Sequence, residues 1–383
     1  MKKICVLTGT RAEYGLLKPL IEKIANDEDL MLCIVATGMH LSSEFGLTYK
    51  EIEQDGFVID DKIEIPLLFN TNEGMAKSTG TAIINFAEYF ERNRPDMLVL
   101  LGDRFETFAC ATSAAIAQIP IAHLFGGDTT EGAVDEFFRH SITKMCYLHF
   151  TSSEKYKKRV EQLGENPNRV FNVGSIGIEN ISTMDLLPLS AVETSLNFKL
   201  DKEFALVTFH PETMTTNSPE TQFNELLTAI DNFDEMQFVF TKANADAGGR
   251  LINNMIDDYV GKKDNCVAVT SLGVKLYLSA MKHAKLVIGN SSSGIYEAPS
   301  FKIATINIGD RQKGRIQADS IINCVPFASD IVKAMHEGLN KDCQNTVNPY
   351  QGANPSQEIV DVIKDFLQND KIDLKKKFWD IEV

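Results

Sequence analysis

With 383 residues the chain exceeds the size at which one core usually keeps growing, so two domains are expected. Its 44% hydrophobic and 24% charged residues are those of an ordinary globular protein, and no apolar run reaches the length of a membrane helix. A net charge of −15 speaks against nucleic acid as a partner, which would need a basic face, yet leaves room for a local basic pocket around a phosphorylated small molecule.

Seven cysteines, odd in number and without a CxxC pair, lie mostly in apolar runs, as expected of reduced, buried thiols in a cytoplasmic protein. Met1-Lys-Lys leads directly into the strand-like ICVLT, so no signal peptide is expected.

Ile4–Leu7 reads as a first buried strand, followed by the turn Thr8-Gly-Thr10 and a helix over Ala12–Ala25 with Leu16, Leu17, Leu20, Ile21 and Ile24 close to one face. A strand at Met31–Ala36 ends in Thr37-Gly-Met-His40, and an irregular stretch leads to a helix over Met75–Arg92. Asp96–Leu101 is the clearest strand of the first half and ends at Gly102-Asp103-Arg104; an alanine-rich helix over Glu106–Gln118 follows. Ile119–Leu124 is a strand ending in Phe125-Gly-Gly-Asp128, then come a helix over Asp135–Leu148, another over Ser153–Leu163, and a strand at Val170–Val173. Ser182–Lys202 loses the alternation and contains Pro188, so the linker is placed there.

A second alternating series has strands near Phe204–Phe209, Gln237–Phe240, Cys266–Val269, Leu286–Ile288 and Ala304–Ile308. Helices are expected near Glu220–Phe233, Arg250–Tyr259, Val274–Lys282, Ile295–Phe301 and Gln357–Leu367, before a tail holding the only tryptophan, Trp379. Strands alternating with helices at this spacing form parallel βαβ units. The expected fold class is α/β, with two Rossmann-like domains facing across a cleft. The boundaries fall at 1–181 and 203–356, with a C-terminal helix and tail over 357–383 returning to the first domain.

Ligands in such sheets sit beyond the carboxyl ends of the strands. Arg11, His40, Asp103, Arg104 and the loop after Leu124 all fall there. Lys285–Pro299 (KLVIGNSSSGIYEAP) runs from an apolar strand through Gly289 and Ser291, Ser292 and Ser293 into a helix. Backbone N–H groups at that helix start, with the serine hydroxyls, make an anion seat, and Glu297 one turn in suits ribose hydroxyls. An ordinary serine-rich turn is the plain alternative.

Arg11 is a candidate phosphate contact, though GTRAEYG is neither a Walker loop nor a GxGxxG fingerprint. Asp103 reads either as a site carboxylate or as a helix N-cap. Asp135, Glu136, Arg139 and His140 form the densest polar cluster of the first half; helical spacing also allows a structural pair between Asp135 and Arg139. Carboxylates in contrasting surroundings are what proton abstraction and leaving-group protonation require. His210 at a strand end and the basic loop Gly309–Arg315 face the same way and suit a diphosphate. No HExxH, DxD or clustered His/Cys spacing suggests a metal.

Taken in order, GTRAEYG, ATGMH, LLGDR, GG…DEFFRHSITK, FHPET, GNSSSG with Glu297, and NIGDRQKGR span nearly the whole chain. This set resembles the hydrolysing UDP-N-acetylglucosamine 2-epimerases of bacterial sialic acid synthesis. The resemblance implies a glycosyltransferase-B type fold, a cytoplasmic homo-oligomer (dimer or tetramer), no cofactor and no metal; the helix around Phe86–Glu91 is a candidate contact between copies. It implies that Ser291 and Ser292 hold phosphate, Glu297 the ribose, and His210 and Arg311 the diphosphate, with Arg11 and Arg104 closing from the first domain. His40, Asn244 and Gly289 complete the implied substrate-binding set.

By the same resemblance the sugar faces Asp103 and Asp135. UDP leaves C1 and a proton leaves C2 to give a 2-acetamidoglucal; water then adds to release the 2-epimer, N-acetylmannosamine. Many members have a glutamate just before the Gly-Gly pair, where this chain has Phe125, which transfers no proton. Asp128, Glu131 or Glu136 is then a candidate for that role, unless Asp103 and Asp135 suffice. The alternatives are the same chemistry on a nucleotide-linked 2,4-diacetamido-trideoxy sugar, a non-hydrolysing epimerase, or a glycosyltransferase. The last lacks the basic amphipathic helix expected of a membrane-facing acceptor site.

Overall fold

A computed structural model describes residues 1–68, 71–131, 134–211, 218–243, 248–270, 272–369 and 371–381. The chain divides into two compact units. The first comprises Met1–Asp128, Asp135–Asn180 and Tyr350–Val383, and the second Thr129–Val134 and Ile181–Pro349.

The first unit is built on seven parallel strands: β1 (Lys2–Thr8), β2 (Leu30–Thr37), β3 (Asp61–Ile63), β4 (Met97–Leu101), β5 (Ile121–Leu124), β6 (Leu148–Thr151) and β7 (Val170–Asn172). They lie in the order β3-β2-β1-β4-β5-β6-β7. The order reverses at β1, so the loops after β1 and β4 open at a topological switch point. Successive residues face opposite ways along a strand. Ile4, Val6, Met97 and Val99 therefore enter one apolar cluster, while Cys5, Leu7, Leu98 and Leu100 enter another on the far face. Helix Pro355–Gln368 lays Ile359, Val360 and Ile363 into the first of these, beside Leu17 and Leu20 of helix Arg11–Ala25. Its start is fixed by Glu179, which accepts from Ser356 N at 2.9 Å and from Ser356 Oγ at 2.6 Å.

The second unit has six parallel strands: β8 (Phe204–Thr208), β9 (Gln237–Thr241), β10 (Cys266–Val269), β11 (Leu286–Gly289), β12 (Ala304–Ile308) and β13 (Ile321–Cys324). Their order is β10-β9-β8-β11-β12-β13, again buried on both faces. Among the described residues no helix is long and apolar enough to cross a membrane.

Several sequence expectations are corrected. The stretch read as a linker contains helix Leu189–Leu196, whose Val192 and Leu196 are buried in the second unit's core. The helix expected over Ile295–Phe301 is a single turn, Ser293–Tyr296, followed by a 3-10 turn, Ala298–Phe301. Pro299 removes one N–H and disfavours helical backbone at Ala298, which breaks the run. The helix expected over Asp135–Leu148 ends at Met145, and Leu148 opens β6, a strand the sequence pattern does not signal; β3, β13 and helix Ala328–Asn340 are likewise unsignalled. On the helix expected as a contact between copies, Phe86, Tyr89 and Phe90 are 0–2% exposed in the unit's own core, so a contact there would fall to its exposed face, with Ala87, Glu88 and Glu91.

Candidate active site

In the first unit the candidate residues gather at the carboxyl ends of β1, β2 and β4 and in the loop after β5. Asp103 follows β4, but the N-cap position of helix Phe105–Ile116 belongs to Arg104. Asp103 pairs instead with Arg139, whose side chain is 2% exposed. The same guanidinium takes Glu136 Oε2 at 2.6 Å, and Glu136 Oε1 lies 3.1 Å from His140 Nε2. A buried cation thus ties the end of β4 to the first turns of helix Asp135–Met145. Asp135 opens that helix, and Asp128 is buried at the far side of the preceding loop.

Phe125 has a φ of +65°, and its ring packs against the apolar cluster containing Leu124 and Phe150. The position where the resemblance leads one to expect a glutamate is therefore filled by a partly buried ring packed against the core. His40, expected at the substrate, is also interior: it is 0% exposed, with Thr8 Oγ1 2.9 Å from Nε2 and Thr48 Oγ1 2.9 Å from Nδ1. Burial pushes it down to about 4, so its ring is neutral at physiological pH. Arg11 Nε stands 2.9 Å from Glu51 Oε2. Arg104 Nε donates to Glu106 Oε1 at 2.7 Å.

The second unit's residues converge on Asn290. Gly289 ends β11 with a φ of +129°, and a Cβ there would stand 1.9 Å from the carbonyl oxygen of Thr208 on β8. The glycine lets the two strands close up and releases Asn290 just beyond them. Asn290, 0% exposed, clasps the backbone of His210: Oδ1 accepts from His210 N at 2.7 Å and Nδ2 donates to His210 O at 2.8 Å. Its own carbonyl accepts from Arg311 Nη1 at 3.1 Å and Gln312 Nε2 at 2.7 Å. One buried residue thereby fixes both groups expected at the diphosphate, His210 through its side-chain amide and Arg311 through its main-chain carbonyl.

Beside it run the hydroxyls. Ser291 Oγ lies 3.1 Å from Ser293 Oγ, which lies 2.5 Å from Tyr277 Oη, and Ser292 is the N-cap residue of the one-turn helix. With so short a helix there is little macrodipole, so what this turn can offer an anion is its serine hydroxyls and local N–H groups. Glu297 is partly exposed as a residue, but its Oε2 is buried and has no hydrogen-bond partner among the described residues. Burial pushes it up to about 8, with Arg315 opposing. Asn244 lies outside the described residues.

The UDP-N-acetylglucosamine 2-epimerase family model matches residues 22–364. The chain belongs to that family. The GDP/UDP-N,N'-diacetylbacillosamine 2-epimerase (hydrolyzing) of Campylobacter jejuni is 45% identical over 384 residues, 99% of each chain. The polysialic acid biosynthesis protein P7 of Escherichia coli is 40% identical over 386 residues, 100% of this chain and 98% of the other. The S. aureus MnaA-UDP co-structure shares the fold, at a TM-score of 0.79 and 20% identity over 100% of both chains.

In this epimerase-family chain, sequence reasoning missed three residues that the structure brings to the candidate site. Asn290 stood unremarked inside GNSSSG, and Gln312 and Arg315 inside the basic loop. Arg315 donates from Nε to Thr129 O at 3.0 Å and from Nη1 to Gln312 Oε1 at 2.7 Å, with its guanidinium 5.4 Å from the Tyr296 ring centre. The only sequence signal for Asn290 was a polar residue directly after an apolar strand and a glycine.

Proposed function

We propose that the protein is a hydrolysing 2-epimerase that takes a nucleotide-linked 2-acetamido sugar and water to the nucleoside diphosphate and the free 2-epimer. The observation that carries the proposal is Asp103 held by buried Arg139 of the helix that Asp135 opens, in a chain of this family. The proton at C2 is weakly acidic, so its removal accompanies C1–O cleavage, when positive charge builds on the ring. A carboxylate from Asp103, Asp135 or Asp128 takes that proton as the diphosphate departs, leaving a 2-acetamidoglucal. Water then supplies hydroxide to C1 and a proton returns to C2 on the opposite face. Glu136 supports this chemistry by holding Arg139.

The second unit binds the leaving group. His210 and Arg311, both fixed by Asn290, meet the diphosphate with Ser291 and Ser292, and the Glu297 carboxylate accepts the ribose hydroxyls.

Two substrates fit. UDP-N-acetylglucosamine, yielding N-acetylmannosamine for sialic acid synthesis, suits the family and the Escherichia coli relative. A nucleotide-linked 2,4-diacetamido-trideoxy sugar is favoured by the 45% identity to the Campylobacter enzyme. Parallel incubation of both sugars in deuterated water separates them: the true substrate gives free nucleoside diphosphate and a 2-epimer carrying deuterium at C2, with the higher kcat/KM. Release of diphosphate with sugar of unchanged C2 configuration refutes the epimerase proposal.

A further inference from the structure

Two carboxyl groups in the first unit have no part in the chemistry above. Glu106, in the first turn of helix Phe105–Ile116, is 1% exposed, and Glu13, in the first turn of helix Arg11–Ala25, is 8% exposed. The turns after three adjacent strands close on them. A Cβ on Gly9, after β1, would stand 2.8 Å from Glu106 Oε1, and one on Gly38, after β2, 3.4 Å from the same atom. Arg104, after β4, donates to that oxygen at 2.7 Å and keeps its Nε 3.8 Å from Glu13 Oε1. Glu13 Oε2 accepts from Gly9 N at 2.7 Å, while the buried Glu106 Oε2 has no partner among the described residues.

We propose that Glu106, backed by Glu13, is a positioning residue that aims Arg104 from the carboxyl end of the sheet at the anionic part of the substrate. The inference rests on the nucleotide-sugar function proposed above. A buried carboxylate pair is costly to keep for packing alone, because apolar groups of similar volume would fill the space without desolvating charge. What the pair supplies is direction. An arginine held through Nε has its planar fork fixed, and a fixed fork loses less freedom when it meets phosphate oxygens. Burial and then the Glu106 charge push Glu13 up to about 7, with Arg104 opposing, so near neutrality the pair readily keeps one proton and its single negative charge is offset by the guanidinium. Gly9 and Gly38 leave the room that the Glu106 carboxyl occupies.

Positioning and plain electrostatics predict opposite signs. A buried anion near a phosphate site repels the ligand, so Glu106→Gln would tighten UDP binding if charge were all that mattered. If Glu106 aims Arg104, the same change weakens it. The test is a double-mutant cycle read by calorimetric titration of the full-length protein with UDP, using E106Q, R104A and the double variant, with thermal unfolding checked for each. E13Q, which mimics the protonated carboxyl, is the second single variant.

The expected result is a Kd about tenfold weaker for E106Q, about two- to threefold weaker for E13Q, and no further loss when E106Q is added to R104A. Additive effects, or unchanged or tighter binding by folded E106Q, overturn the inference while leaving the epimerase proposal standing. Failure of the wild type to bind UDP brings down both.

Discussion

Arg139 reaches back 36 residues along the chain to hold Asp103, and both sit where the ends of β4 and helix Asp135–Met145 meet. With its cation 2% exposed, this pair is a structural joint, and under the proposed mechanism it also sets the reactive carboxylate. The two roles separate by substitution. Asp103→Asn keeps the shape and is expected to lower kcat at least about 100-fold with UDP affinity within about twofold, the size of a lost general acid or base. Arg139→Met leaves Asp103 and Glu136 without their common cation and is expected to cost about 3 kcal/mol in urea unfolding. Full turnover by folded D103N would remove Asp103 from the mechanism.

Asn290 offers a second test, since a single amide holds the His210 backbone at both its N–H and its carbonyl. Asn290→Ala removes two hydrogen bonds to the buried His210 backbone, at a cost of about 1–3 kcal/mol. Because Arg311 and Gln312 reach only the carbonyl of residue 290, they keep their partner, so the loss of UDP affinity is expected to come through His210. Equal UDP affinity in N290A and wild type would show that the clasp serves folding alone.

Glu297 makes binding and stability depend on pH in opposite senses. Its folded pKa of about 8 lies above the ordinary value of 4.5, so the folded protein binds more protons than the unfolded chain between those limits. The contribution is full below 4.5 and is lost as pH rises through about 8, so the ligand-free protein should lose stability over that window. Ribose hydroxyls donate to the ionised carboxylate, so UDP binding should release a proton near pH 7. Calorimetry in buffers of different ionisation enthalpy measures that proton; none released by wild type, or the same release by Glu297→Gln, would dissociate Glu297 from the nucleotide.

The C-terminal tail carries a structural prediction. Glu165 is 0% exposed and faces Lys144 at 2.6 Å, Lys376 at 2.7 Å and His149 at 3.1 Å. Burial opposes its ionisation, but these partners outweigh that and hold its pKa down to about 2. Its stabilising effect is therefore present above 4.5 and lost as pH falls through about 2. Lys376→Met is expected to cost roughly 2 kcal/mol and to raise the pH of acid unfolding, since Lys144 and His149 remain as partial compensation.

Gly289 is the sharpest steric test. A methyl group there meets the Thr208 carbonyl at 1.9 Å, a contact of backbone against backbone that no rotamer relieves. Gly289→Ala should force β11 from β8 and leave little folded protein at 37 °C by circular dichroism.

Most strands of both sheets were legible because parallel strands covered on two faces read as uninterrupted apolar runs. Strands β3, β6 and β13 were not, since they are only three or four residues long and carry polar residues, and the turn at Ser293–Tyr296 was overread because local periodicity outweighed the proline. Phe125 is instructive: its identity showed that an acid was missing, but only the backbone φ of +65° and the packing of its ring showed where the side chain went. Likewise His40 sat at the right strand end in the sequence, and only burial revealed that two threonines take both its ring nitrogens.

By itself the order of residues determined the alternation of strand and helix, hence the parallel sheets, and the ordered motifs that mark the family. These follow from local hydrophobic period and turn chemistry, which neighbouring residues settle among themselves. Tertiary structure alone decided which charges meet: Asp103 with Arg139, Arg104 with Glu106, Asn290 with His210. Such pairs join elements far apart in the chain, and their strength depends on a burial that exists only once the sheets and helices have closed around them.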